Sequence, residues 1–164
     1  MTTIQTLSDA ICDAWASVPA PPAEDMKYMA WGWGEEAARE FTGVSPMDVD
    51  RDSRGFSMAE SLLELPPRAA AAYLGSFLLS ALEVMERHKN GDISWTLTYP
   101  GHIVSSFRFS VLWERLWPFL TPKCREVWVQ VALYIASEHE CFASLTPEQV
   151  ATIRGLAAQF SKSE

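Results

Sequence analysis

The sequence predicts a mainly α fold: a compact single-domain helical bundle of about five to six helices over residues 1–164, with a short β-hairpin near 93–109 as an open alternative in one stretch. Three observations carry that prediction. Apolar residues recur at three- and four-residue steps near the amino terminus; a long alanine- and leucine-rich run is apolar nearly all round; and three segments open with leucine, a turn residue and proline.

Ile4, Leu7, Ile11, Trp15 and Val18 form the first stripe, so Thr3 to Ser17 reads as an amphipathic helix with Asp9 and Asp13 on its wet side. Pro19-Ala20-Pro21-Pro22 ends it. A short helix is expected from Glu35 to Phe41, with two acids in its first turn and Gly43 just past its end. Between them, Tyr28 to Gly34 is an aromatic and glycine segment with no period.

Leu65-Pro66-Pro67, Leu120-Thr121-Pro122 and Leu145-Thr146-Pro147 mark the later helix starts. Proline is tolerated at the first helical position because that N–H has no intrahelical partner, and Thr121 and Thr146 can cap the amides behind it. The three helices are expected over Pro67–Lys89, Pro122–Glu138 and Pro147–Ser161. The first ends at Asn90-Gly91 and is the central helix, with Tyr73, Phe77 and Leu78 in the core. Ser110 to Leu116 reads as a further helix stopped by Trp117-Pro118. Ile93 to Tyr99 alternates apolar and polar residues as a half-buried strand would, and Ile103 to Phe109 could return antiparallel after Pro100-Gly101.

Charge is regional. Residues 1–64 carry 12 Asp and Glu against 4 Lys and Arg, whereas residues 65–164 carry nine of each, so the net charge of −8 lies wholly in the first part. An acidic half is either a solvated face or a docking surface for a basic partner. Nucleic acid is disfavoured as a ligand, since no basic cluster offers counterion release. No cationic, apolar leader opens the chain and no run approaches the roughly 18 apolar residues of a membrane span, so the expected location is cytoplasmic, without membrane association. Cys12, Cys124 and Cys141 are odd in number and scattered, and all three read as small buried hydrophobes in a reducing compartment.

No catalytic signature appears. Asp48, Asp50 and Asp52 occupy positions one, three and five of a calcium-type loop, but Ser53 and Ala59 stand where glycine and glutamate are required, and no metal or other cofactor is expected. His139 and Cys141 are two apart, where helical ligand pairs want three or four. His88 and His102 read as structural. Trp113, Trp117 and Trp128 lie in apolar surroundings and belong to the core; Trp31 and Trp33, flanked by glycines, either pin a loop or bracket a partner.

Leu62 to Leu82, with Phe119-Leu120-Thr121-Pro122 opening a helix, resembles a family of small uncharacterised bacterial helical domains over about a third of the chain; Gly75 stands where that family tends to carry proline. The resemblance implies a bacterial origin and a helical fold, and no catalytic residues.

The expectation is therefore a non-enzymatic binding protein, an immunity protein or antitoxin that neutralises a toxic effector by docking an acidic surface on its basic active-site cleft. Its contact residues would be Glu35, Glu36, Glu40, Asp48, Asp50 and Asp52, with Trp31 and Trp33 as desolvated anchors. The alternatives are a helical adaptor or regulatory subunit, and an enzyme of unrecognised class centred on His102.

Overall fold

The computed structural model describes residues 2–26, 39–52, 65–92, 104, 106–138 and 145–162. It is mainly helical. In chain order the α-helices among the described residues are α1 (Ile4–Trp15), α2 (Pro67–Lys89), α3 (Ser110–Leu116), α4 (Pro122–Ser137) and α5 (Pro147–Phe160). Short 3₁₀ turns at Ala23–Met26 and Trp117–Phe119 complete the set.

Each helix starts where its local chemistry permits. Thr3 accepts from the Thr6 amide while the Thr6 hydroxyl accepts from the Thr3 amide, a reciprocal cap for α1. Thr121 caps Cys124 in α4, and Thr146 exchanges the same pair of bonds with Gln149 in α5, each with proline at the first helical position. Proline at position 66 gives α2 no side-chain cap. That helix ends at Asn90, where Gly91 takes φ +85° and the Gly91 and Asp92 amides bond back to His88 and Arg87 carbonyls.

Helix α2 is the axis of the molecule. Ala69 to Leu78 are all buried, Tyr73, Phe77 and Leu78 completely. It is long and apolar enough to cross a membrane, yet 83% of that apolar window is buried inside the protein. Helices α1 and α3 pack on α2, and α4 packs on α1 and α5. Across α1, Leu7, Ile11, Ala14 and Trp15 face inward while Asp9 and Asp13 face water. The Trp15 indole lies against Gly75, and its Nε1 donates to the Ala71 carbonyl at 3.2 Å. At the other side of the core, Phe107, Trp113, Trp117, Trp128 and Phe160 pack ring on ring, with neighbouring centroids 4.3 to 5.7 Å apart.

Two expectations are corrected. The return strand over Ile103–Phe109 is absent from its described residues: Val104 and Ser106 are helical and Phe107-Arg108 form a turn. The Phe107 amide bonds to Val104 and the Phe109 amide to Ser106, so Val104 and Phe107 are buried while Phe109 is exposed, rather than sharing a face with Phe107. The first half of that hairpin lies outside the described residues. Cys12 is exposed, not buried: it follows Ile11 on the helix and is turned away from the inward stripe. Cys124 is buried, its thiol donating to the Ala14 carbonyl at 3.4 Å, and Cys141 lies outside the described residues.

Candidate docking surface

The acidic loop runs from the helical turn at residues 39–41 to Asp52, and α2 holds it in place. Phe41 is fully buried with its ring 5.0 Å from that of Tyr73. The Tyr73 hydroxyl donates toward the carbonyls of Phe41 at 2.6 Å and Val44 at 3.2 Å. One turn on, the buried Ser76 hydroxyl donates to the Pro46 carbonyl at 2.5 Å. These bonds satisfy loop carbonyls that burial would otherwise leave unpaired. Burial also disfavours the phenolate, so the Tyr73 hydroxyl is pushed up from 10.0 to about 12.

Beyond Pro46 the loop alternates. Asp48, Asp50 and Asp52 are exposed, Val49 is buried, and Arg51 is half-buried. Arg51 reaches Glu83 of α2 at 3.7 Å, and Glu83 also pairs with Arg87 one helical turn on at 3.0 Å. These partners are roughly 40% exposed, so the pairs set orientation more than they add stability. The Asp50 carboxylate accepts from the Asp52 amide at 3.0 Å, which closes the end of the loop. Val49 is thus the apolar peg and the aspartates are the outward row.

Of the anticipated contact residues, Asp48, Asp50 and Asp52 come together on this loop, and Glu40 sits half-buried in the helical turn that leads into it. Trp31, Trp33, Glu35 and Glu36 lie outside the described residues, as does His102. The residues that sequence reasoning missed are the pins, Tyr73 and Ser76. Ser76, which with Ser80 is one of two serines buried in an otherwise largely apolar helix, was the available signal. Among the described residues the other exposed acids of this half are Asp9 and Asp13 on α1 and Glu24 in the 3₁₀ turn Ala23–Met26, and Asp13 is paired with Lys123 at 2.6 Å.

As chemistry, the loop offers negative charge on a fixed backbone. Among the described residues no group of three His, Cys, Asp or Glu side chains is placed to hold a metal ion. A cavity of about 240 Å³ lies between the Ser17–Pro22 loop, the start of α2 and the start of α4, with Cys124 in its wall. Burial raises the Cys124 thiol, keeping it protonated and a poor nucleophile. No protein-family model and no solved structure matches this chain.

Proposed function

We propose that this protein is a non-enzymatic, cytoplasmic bacterial binding protein, an immunity protein or antitoxin whose acidic amino-terminal half docks over a basic cleft of a toxic effector. The observation that supports this reading is the row Asp48, Asp50 and Asp52, turned outward on a loop pinned to the central helix by Tyr73, Ser76 and Val49. A row of like charges held on ordered backbone loses little conformational freedom on binding, so its field is available both to steer encounter and to hold register. The net charge of −8 is carried within residues 1–64, the part of the chain to which this row belongs.

The test has two parts. Co-expression with the product of the adjacent gene should rescue growth if that product is the toxin. Asp48→Lys combined with Asp52→Lys should then slow association at least tenfold at low salt and flatten its salt dependence, with the fold intact. Asp50 is left unchanged because its carboxylate closes the loop. Glu86→Lys with Glu126→Lys, two exposed sites on α2 and α4, is the matched control. Equal loss of binding from both pairs would show that regional acidity does not locate the interface.

A further inference from the structure

We propose that the cleft formed by the 3₁₀ turn Trp117–Phe119, α4 and the end of α5 binds a free α-amino acid with a large apolar side chain. The cleft measures about 540 Å³, within the roughly 300–1,000 Å³ of small-molecule sites. Trp117, Val129 and Phe160 supply its apolar wall, with the Trp117 and Phe160 ring centroids 4.3 Å apart. Arg125, Glu126 and Gln130 line the same cleft, so two charges of opposite sign stand beside that wall. An apolar wall with a few polar groups set into it is the composition of a small-ligand site.

The polar groups define the ligand. The Arg125 guanidinium lies 5.4 Å from the Trp117 ring centroid and donates through Nε and Nη2 to the Trp117 carbonyl, at 3.2 and 3.0 Å. Those bonds hold the group in place and leave its Nη1 donors without an acceptor among the described residues. The indole of Trp117 is a second such donor. Trp117 is 8% exposed and its Nε1 is buried with no acceptor, whereas the indoles of Trp15 and Trp113 donate to the carbonyls of Ala71 and Phe107. Trp128, another unpartnered indole, is not in the wall of the cleft. Unanswered donors on two touching side chains ask for an anionic acceptor, and a planar carboxylate matches the open end of a guanidinium. Glu126 asks for the opposite sign. It has no ion-pair partner among the described residues, and its Oε1 accepts from the Gln130 amide at 3.5 Å, which leaves Oε2 open to a cation. A simple acid would satisfy Arg125 and be repelled by Glu126, and a simple amine the reverse. An α-amino acid carries both groups on one carbon and has its side chain left for the aromatic wall.

Isothermal titration of the full chain with L-phenylalanine tests this. The expected result is one site per chain with a submillimolar Kd. Phenylpropanoate, which lacks the ammonium, and phenylethylamine, which lacks the carboxylate, should each bind at least tenfold more weakly, as should glycine, which lacks the side chain. Glu126→Gln, at an exposed position, should weaken L-phenylalanine at least tenfold and leave phenylpropanoate no weaker, because the repelling carboxylate is gone. Arg125→Gln should abolish binding of both acids, with circular dichroism to check that loss of the bonds to the Trp117 carbonyl has not unfolded the chain. No heat with millimolar L-phenylalanine, equal binding of the amino acid and its two analogues, or a Glu126→Gln variant that binds L-phenylalanine as the parent does would overturn the proposal. No residue of the acidic loop lines the cleft, so the result is independent of the docking reading.

Discussion

Replacing Gly75 by alanine sets two effects of known sign against each other. Glycine in a helix interior costs about 1 kcal/mol relative to alanine, so propensity alone would make Gly75→Ala stabilising. A Cβ at that position, however, would stand 2.6 Å from Cγ and 2.8 Å from Cδ2 of Trp15, and 3.1 Å from the Met47 sulfur. Carbon atoms in contact prefer about 3.5 to 4.0 Å, so a rigid, 1%-exposed indole would have to retreat by about 1 Å in a filled core. Overpacking of this kind costs roughly 1 to 3 kcal/mol, and the retreat also stretches the indole bond to the Ala71 carbonyl, worth about 1 kcal/mol. The net is a loss of about 2 kcal/mol, or a melting temperature lowered by about 4 to 8 °C for a domain of this size. Gly155 in α5 is the internal control, because nothing lies within 4 Å of its added Cβ. There alanine should stabilise by up to about 1 kcal/mol. In a Trp15→Leu background the clash is removed and Gly75→Ala should turn favourable, which a double-mutant cycle by urea denaturation reads directly. If Gly75→Ala raises the melting temperature as Gly155→Ala does, the close approach of α1 to α2 is not as described.

Two further outcomes follow from the same core. Phe77, fully buried on α2, should cost about 3 to 5 kcal/mol when cut to alanine, a large part of the roughly 5 to 15 kcal/mol of a whole domain, and an unchanged denaturation midpoint would displace it from the core. Tyr73 binds its proton more tightly when folded, at about 12 against 10.0, so its contribution is complete below pH 10 and is lost as pH rises toward 12. That amounts to about 2 to 3 kcal/mol. Lys89, raised by its contacts with Glu138 and Tyr134, shifts in the same direction. Tyr73→Phe should be less stable at pH 8, having left two loop carbonyls without their donor, but should lose less stability between pH 10 and 12; an identical alkaline slope in both proteins would sink this assignment.

The fold was legible where local chemistry decides it. The three prolines at 67, 122 and 147 stand at the first residues of α2, α4 and α5, and Thr121 and Thr146 cap as their positions require. Ser110–Leu116 could be bounded because Pro118 forbids continuation of a regular helix. Where two periods share residues, sequence pattern did not decide. Phe107 fits an alternating strand and also a three-residue step from Val104, and the structure takes the second because the short-range amide bonds close there. Cys12 illustrates a different failure: composition makes cysteine a buried residue, but its place beside Ile11 rather than on the Leu7–Ile11–Trp15 stripe turns it to water. The acidic row could be read from Asp48, Asp50 and Asp52, but its support could not, because the bonds from Tyr73 and Ser76 close over 29 to 32 residues.

That support separates what folds the protein from what it presents. The row of aspartates makes no apolar contact that the core needs; its position is fixed from beneath by Val49, Pro46 and the hydroxyls of α2. The outer face of α3 has the same construction, with Leu112, Trp113 and Leu116 anchoring a helix whose other side shows Val111 and Glu114. In both places one set of side chains is committed to the core and the set between them is left to solvent. Charge reversal at Asp48 and Asp52 can therefore be read as a change of surface, whereas loss of Tyr73, Phe77 or Trp15 acts on the framework. The acidic loop and α3 also differ in what they expose, since the loop shows Asp48, Asp50 and Asp52 and the helix shows Val111 and Glu114. An exposed row of like charges favours fast, salt-sensitive encounter with a molecule of opposite charge, whereas an exposed valine on a helix adds no such field.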